Sequence, residues 1–219
     1  MQKAAIFDLD GTLLNSLADI GDATNSVLRE LGLPVHDYDA YKIFIGNGMN
    51  KLVARALSAE RRQEETIQSA VSAMEEIYSR IWKNKTHVYE GVEDLLDEIE
   101  GRGLPMAVLS NKPDRFIKQT VQSFFPSRRF VAVRGARDGI PKKPDPTTAL
   151  EVAGEIGCPP EDICYLGDTS TDMQTARRAG MFPVGALWGF RSAEELKEHG
   201  AEHLIGHPME LLAFLELRH

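Results

Sequence analysis

Apolar residues recur along this chain in two rhythms, and the change between them divides it. Leu17, Ile20, Ala23, Val27, Leu28 and Leu31 follow the spacing of one helix face. They predict a helix over about residues 15–31, stopped by Gly32 and Pro34. Further helices are predicted over about 37–44 and 49–57, and one long amphipathic helix over 60–82. Residues near 16–85 therefore read as all-helical. Elsewhere short apolar runs alternate with helical stretches. Strands are predicted at Ala4-Ala5-Ile6-Phe7, at Met106-Ala107-Val108-Leu109, at Phe130-Val131-Ala132-Val133, at Ile163-Cys164-Tyr165-Leu166 and from Phe182 to Leu187. Helices are predicted over about 92–99, 114–124, 146–156 and 171–179. Such alternation means βαβ units and a parallel sheet, interrupted after its first strand by the helical segment. The expected fold is an α/β core, a parallel-sheet Rossmann-like layer with helices on both faces, formed by residues 1–14 and 86–219. An all-helical domain, 15–85, is inserted into it.

Composition narrows the function classes. The chain has 219 residues, 42% of them hydrophobic and 26% charged, as in ordinary globular proteins, and enough for a core domain with an insert. A formal net charge of −8 argues against a general nucleic-acid or anionic-membrane surface. An anionic small substrate stays open, because a local cation reverses the field at one site. No run approaches the roughly 20 apolar residues of a membrane span. The N-terminus lacks the basic, apolar, small-residue order of a secretory leader. Cys158 and Cys164 are the two cysteines, and a reducing, cytoplasmic setting suits them, Cys164 as a buried free thiol.

The candidate chemistry lies where strands end, the place where open parallel sheets bind ligands. The first strand runs into Asp8-Leu9-Asp10-Gly11-Thr12. Strand alternation would direct Asp8 and Asp10 to one side, and two like charges held together call for a cation between them. The second strand ends at Ser110-Asn111. Another ends at Gly167-Asp168, with Asp172 one helical turn further on. Lys143 stands in Pro141-Lys142-Lys143-Pro144-Asp145-Pro146, whose prolines favour a stiff, extended approach to the next helix. Singly, each has an ordinary reading: aspartates form turns and caps, and lysines cover surfaces. Together, each at the start of a βα connection, they point to a site.

Asp-x-Asp-Gly-Thr-Leu, Ser110, Lys143-Pro and Gly-Asp-x-x-x-Asp, in this order, resemble the haloacid dehalogenase superfamily of phosphotransferases across the whole core. The resemblance implies that the helical insert is a small cap domain. It implies Asp8 as nucleophile, forming an aspartyl-phosphate, and Asp10 as general acid and then general base. It implies Mg²⁺ held by Asp8, the Asp10 backbone carbonyl and Asp168, with Asp172 a direct or water-mediated contributor. Ser110 and Asn111 would bind phosphoryl oxygens, Thr12 would line the substrate site, and Lys143 would neutralise charge on the phosphoryl group and on Asp8.

Within that superfamily the segment Ile45-Gly46-Asn47-Gly48-Met49-Asn50-Lys51-Leu52 looks like the cap loop of phosphoglycolate phosphatases, and so does Leu109-Ser110-Asn111-Lys112-Pro113 in the core. Gly46, Asn47 and Gly48 would approach substrate, with Lys51 or Arg55 meeting a carboxylate or else facing solvent. The expected activity is Mg²⁺-dependent hydrolysis of a small phosphorylated metabolite, 2-phosphoglycolate first among them, by a cytoplasmic monomer or homodimer. Three other readings stay open: a sugar-phosphate mutase of the β-phosphoglucomutase type, a pyrophosphatase or nucleotidase, and a non-catalytic binding protein on this fold. The mutases resemble a Lys-Gly-x-x-Arg cap loop, from which Ile45 and Met49 depart.

Overall fold

The computed structural model describes residues 2–215. Its first strand, β1 (Ala4–Phe7), is wholly buried. Ala5 and Phe7 pack on one face of the sheet, and Ala4 and Ile6 on the other. Burial on both faces is why the strand reads as a continuous apolar run rather than an alternating one. Two short strands, β2 (Leu14–Asn15) and β3 (His87–Val88), pair as a separate ribbon. The main sheet continues with β4 (Met106–Pro113), β5 (Phe130–Ala136), β6 (Ile163–Gly167), β7 (Phe182–Ala186) and β8 (His203–Ile205). Its order is β5-β4-β1-β6-β7-β8, and every pairing is parallel. The chain leaves β1 for β4 on one side and returns to β6 on the other. The carboxyl end of β1 is thus the switch point where a parallel sheet opens a crevice.

Helices cover both faces. On one, α5 (Val92–Gly101) and α6 (Asp114–Phe124) bury Leu95, Leu96, Ile99, Ile117 and Val121 against Phe7 and Val108. On the other, α7 (Thr147–Ile156) and α8 (Ser170–Ala179) bury Ala149, Val152, Ala176 and Ala179 against Ile6, Leu109 and Tyr165. Each fully buried leucine or isoleucine contributes about 1.5–3 kcal/mol relative to exposure. A short helix, α9 (Ala193–Glu198), precedes β8. Cys164 is buried and free, as expected, and burial pushes its thiol up.

The chain divides into two compact units, Met1–Leu14 with Val88–His219, and Asn15–His87. The ends of the expected core segment, residue 1 and residues 216–219, lie outside the described residues. The second unit holds α1 (Leu17–Glu30), α2 (Tyr38–Phe44), α3 (Met49–Ala56) and α4 (Glu64–Ile81). Asp19, 1% exposed, accepts hydrogen bonds from the Lys85 and Thr86 amides and the Thr86 hydroxyl, which ties α1 to the segment after α4. The single helix expected over 60–82 is instead a 3₁₀ turn, Ala59–Arg61, followed by α4. No apolar residue between Glu60 and Ile67 gives an earlier start a face to bury. Among the described residues no helix is long and apolar enough to cross a membrane.

Candidate active site

Three strand ends and one loop meet at the switch point. Asp8 follows β1, and its amide donates to Leu166 O of β6, so its backbone is held by the sheet. Its Oδ1 accepts from the Leu9 amide at 2.7 Å. The chain then folds into a tight loop in which the Leu13 and Leu14 amides both donate to Leu9 O. Gly11 makes that loop possible twice over. Its φ is +93°, a region that favours glycine, and a Cβ there would stand 2.2 Å from Asp168 Oδ2.

Asp168, just past β6, is fully buried. Its Oδ1 accepts from the Thr12 hydroxyl at 3.0 Å and its Oδ2 from the Phe190 amide at 2.8 Å. Thr12 is itself 0% exposed, so its hydroxyl orients Asp168 where a substrate contact was expected. The loop after β7 closes over this pair. Trp188 Nε1 donates to Thr12 O at 3.0 Å, and a Cβ on Gly189 would stand 2.2 Å from Asp168 Cβ. Trp188 packs against the core and also anchors the first loop.

Lys143 enters from the loop before α7, through a cis peptide to Pro144. Its side chain is 3% exposed. The ammonium meets Asp8 Oδ1 at 3.0 Å, Asp172 Oδ1 at 2.6 Å and Leu109 O at 3.0 Å, which uses all three of its protons. Asn111 Nδ2 donates to Lys143 O at 3.0 Å and ties the loop to the end of β4. Asp172 is the third residue of α8. Its Oδ2 accepts from the Thr169 amide and hydroxyl in a capping box, while its Oδ1 faces Lys143. A Cβ on Gly167 would stand 2.3 Å from Asp172 Cβ, so glycine at that strand end lets Asp172 in.

The second aspartate of the first loop has a different partner. Asp10 Oδ1 lies 2.8 Å from Lys112 Nζ, with the side chains 10% and 3% exposed. Lys112 lies on β4, two residues past Ser110, and its amide donates to Ser110 Oγ at 3.2 Å. Asp8 and Asp10, expected as two charges resolved by one cation, therefore each face an ammonium of their own. Sequence reasoning missed Lys112: a lysine just past a strand end reads as a surface charge.

The model of the haloacid dehalogenase-like hydrolases matches residues 5–186, from β1 to the end of β7. The chain belongs to the haloacid dehalogenase-like hydrolase family. It is 32% identical over 204 residues to the phosphoglycolate phosphatase of Psychrobacter arcticus, spanning 90% of this chain and 88% of that protein. It is also 32% identical to phosphoglycolate phosphatase 1 of Pseudomonas aeruginosa, over 97% of this chain and 79% of that one. A crystal structure from Lactobacillus delbrueckii, provisionally assigned as a phosphoglycolate phosphatase, superposes with a TM-score of 0.90 at 30% identity, covering 98% and 99% of the two chains. A Clostridium difficile β-phosphoglucomutase shares the fold, with a TM-score of 0.78 at 21% identity over 96% of this chain and 93% of its own. This haloacid dehalogenase-like chain is a phosphoric monoester hydrolase, phosphoglycolate phosphatase-like in sequence.

The electrostatics of this hydrolase's site favour a divalent cation. Asp8, Asp168 and Asp172 bring carboxylate oxygens within 4.8 Å of one another, all buried. With Asp10 they make four buried carboxyl groups, against the two ammonium groups of Lys112 and Lys143. Burial, then Asp172, pushes the Asp8 carboxyl up to about 7 against the pull of Lys143. Burial, then Asp172 and Asp8, holds Asp168 well above the usual carboxylate range. Burial alone would lower Lys143, but Asp172 and Asp8 outweigh it and raise it well above the usual lysine value. The acids outnumber the bases by a dication's worth, and hard oxygen donors are what Mg²⁺ takes. Asp8 and Asp168 fit better than Asp172, whose Oδ1 carries the Lys143 ammonium at 2.6 Å and whose Oδ2 accepts twice from Thr169, whereas each Asp168 oxygen accepts one bond from a neutral donor.

A pH test follows. Asp8, raised on folding to about 7, holds more protons folded than unfolded between about pH 4 and pH 7, so its contribution to stability falls as pH rises through that window. A cation that needs the ionised carboxylates stabilises more as pH rises. The melting temperature of the metal-free protein should therefore lose this contribution from about pH 4 to pH 7, and the increment added by millimolar Mg²⁺ should grow. An increment that is flat or shrinks with pH in thermal denaturation would contradict the cation fit.

The helical unit holds the remaining candidates. Gly46, Asn47 and Gly48 form the turn between α2 and α3, with Gly46 and Gly48 at φ +118° and +85°. Arg55, on α3, donates to Ile43 O at 3.2 Å, to Phe44 O at 2.9 Å and to Asn47 Oδ1 at 2.7 Å. Those bonds cap the last carbonyls of α2 and brace the turn, so Arg55 holds the loop's shape. Lys51 is exposed.

Proposed function

We propose that this chain is a Mg²⁺-dependent phosphatase that hydrolyses 2-phosphoglycolate through an aspartyl-phosphate. The observation that carries the reading is the buried set at the carboxyl end of β1. There Asp8 has Lys143 and Asp168 beside it, and Asp10 stands apart on Lys112. That separation suits two carboxyl groups with two tasks. Asp8 Oδ attacks phosphorus, and the bond from phosphorus to the ester oxygen breaks. Asp10 gives its proton to the departing oxygen. A water then attacks the phosphorus of the aspartyl-phosphate, Asp10 takes the water's proton, and Asp8 is released with phosphate. Lys143 and the Ser110–Asn111 strand end offer positive charge and donors to the phosphoryl oxygens. Mg²⁺, held by Asp8 and Asp168, would neutralise phosphoryl charge and orient the group for in-line attack.

The substrate follows from relatives called phosphoglycolate phosphatases at about 30% identity over most of their length. A phosphate-release screen over small phosphate esters, nucleotides and pyrophosphate tests it. 2-Phosphoglycolate should lead by at least tenfold in kcat/KM. A flat, uniformly slow profile would overturn the substrate, and conversion of β-glucose 1-phosphate to the 6-phosphate without net phosphate release would replace the hydrolase with a mutase.

A further inference from the structure

Lys112 has no task in the chemistry described above, yet its ammonium is buried beside the carboxyl group assigned to move the proton. Lys143 already serves Asp8 and Asp172. If packing were the only requirement, two apolar side chains in place of the Lys112–Asp10 pair would serve as well, because burying an ion pair carries a desolvation cost that its attraction seldom exceeds.

The backbone around Lys112 is tightly held. Its amide is bonded to Ser110 Oγ, and the register of β4 on β5 shifts between Leu109 and Pro113. On the other side a Cβ on Gly135 would stand 2.6 Å from Lys112 O, so the neighbouring strand abuts its peptide directly. The Gly135 amide donates to Asp114 Oδ1 at 3.0 Å, fixing the residue two places on. The backbone of Lys112 is thus held beside the Ser110–Asn111 strand end, and its buried ammonium lies 2.8 Å from Asp10 Oδ1.

We propose that Lys112 selects the substrate: its ammonium binds an anionic group carried on the carbon next to the ester oxygen. This rests on the reading of Asp10 as the group that protonates that oxygen. An ester oxygen within hydrogen-bond reach of Asp10 brings the substituent of the adjoining carbon to the same neighbourhood, and Lys112 Nζ is the cation standing there. An ammonium has three protons and can hold Asp10 and a substrate carboxylate together. The class selected is a phosphate ester of a 2-hydroxy acid. A neutral ester of the same size finds the phosphoryl-binding groups intact but brings no anion to Lys112.

The test compares kcat/KM for 2-phosphoglycolate and for ethyl phosphate in the wild type, Lys112→Met and Lys112→Arg. Lys112→Met should reduce the preference for the acidic ester by about 30-fold or more, chiefly through a higher KM for it, and Lys112→Arg should keep most of the preference. Equal losses on both esters would overturn the proposal, leaving Lys112 to act on Asp10 alone, and so would an unchanged preference. If Lys112→Met does not fold, calorimetric binding of both esters to Asp8→Asn and to Asp8→Asn/Lys112→Gln measures the same discrimination. There a preference lost with Lys112→Gln supports the role, and equal losses or an unchanged preference overturn it. A wild type that shows no preference between the esters fails the phosphoglycolate reading itself, whereas a preference that survives in Lys112→Met fails only the role of Lys112.

Discussion

Asp8→Asn should lower kcat by at least about 10,000-fold on any phosphate ester while making the metal-free protein more resistant to heat at neutral pH. The two effects have one cause. Asp8 is buried with Asp172 and Asp10 acting on it, and its carboxyl is pushed up to about 7. At neutral pH the folded protein either carries that charge in a place that resists it or holds a proton that the unfolded chain would release. The amide removes the conflict. Its oxygen still accepts from the Leu9 amide and from Lys143, so the local hydrogen bonds survive. It cannot attack phosphorus, because the amide lacks the anionic oxygen. A group that costs stability and is indispensable to turnover is the signature of an active site. Acid quench of the wild type with labelled ester should trap phosphoryl on the protein, and Asp8→Asn should trap none. Turnover within tenfold of wild type would sink the nucleophile assignment.

Much of the core fold was legible because parallel strands buried on both faces announce themselves as short apolar runs ending in polar residues. β1, β6 and β7 matched their expected spans within a residue, and β4 and β5 began where expected. The sixth strand, β8, was not legible. Of its three residues only Ile205 is buried, and the polar stretch from Arg191 to Gly200 gives no strong period. Strand order was beyond reach for a different reason: it depends on which runs pair across more than a hundred residues, and periodicity is local.

The identity of the buried acids at the site was legible from their spacing, but not which cation each would face. Asp8 and Asp10 are one residue apart in sequence, and the loop held by Leu9 O sends them to Lys143 and Lys112. The resemblance placed Thr12 at the substrate site. Thr12 is a ligand for Asp168, 156 positions away, a contact that only the folded sheet creates. The motif Ser110-Asn111-Lys112-Pro113 did hold a signal for Lys112. A proline at the end of β4 ends the run, and the lysine before it stays inside the strand's buried span.

Lys143→Met should destabilise the metal-free protein by about 3–5 kcal/mol at neutral pH, the usual cost of removing one partner from a buried ion pair. Methionine fills much of the same volume, so the loss is electrostatic rather than a cavity. What remains is Asp8 facing Asp172 with nothing between them, and a vacant acceptor at Leu109 O. Tyr165, whose ring centre lies 5.8 Å from Nζ, would lose a favourable cation above it as well. Asp172→Asn in the same background should recover a large part of the loss, because it removes one of the two opposed charges while its oxygen still accepts from Thr169. The pair should therefore be far from additive in a double-mutant cycle measured by urea denaturation at constant slope. Turnover should stay lost in both variants, since neither restores the charge beside the phosphoryl group. Additive free energies would mean that Lys143 serves the loop through its backbone alone, with Asn111 as its anchor. Recovery of activity along with stability would mean that its charge is not needed for phosphoryl transfer.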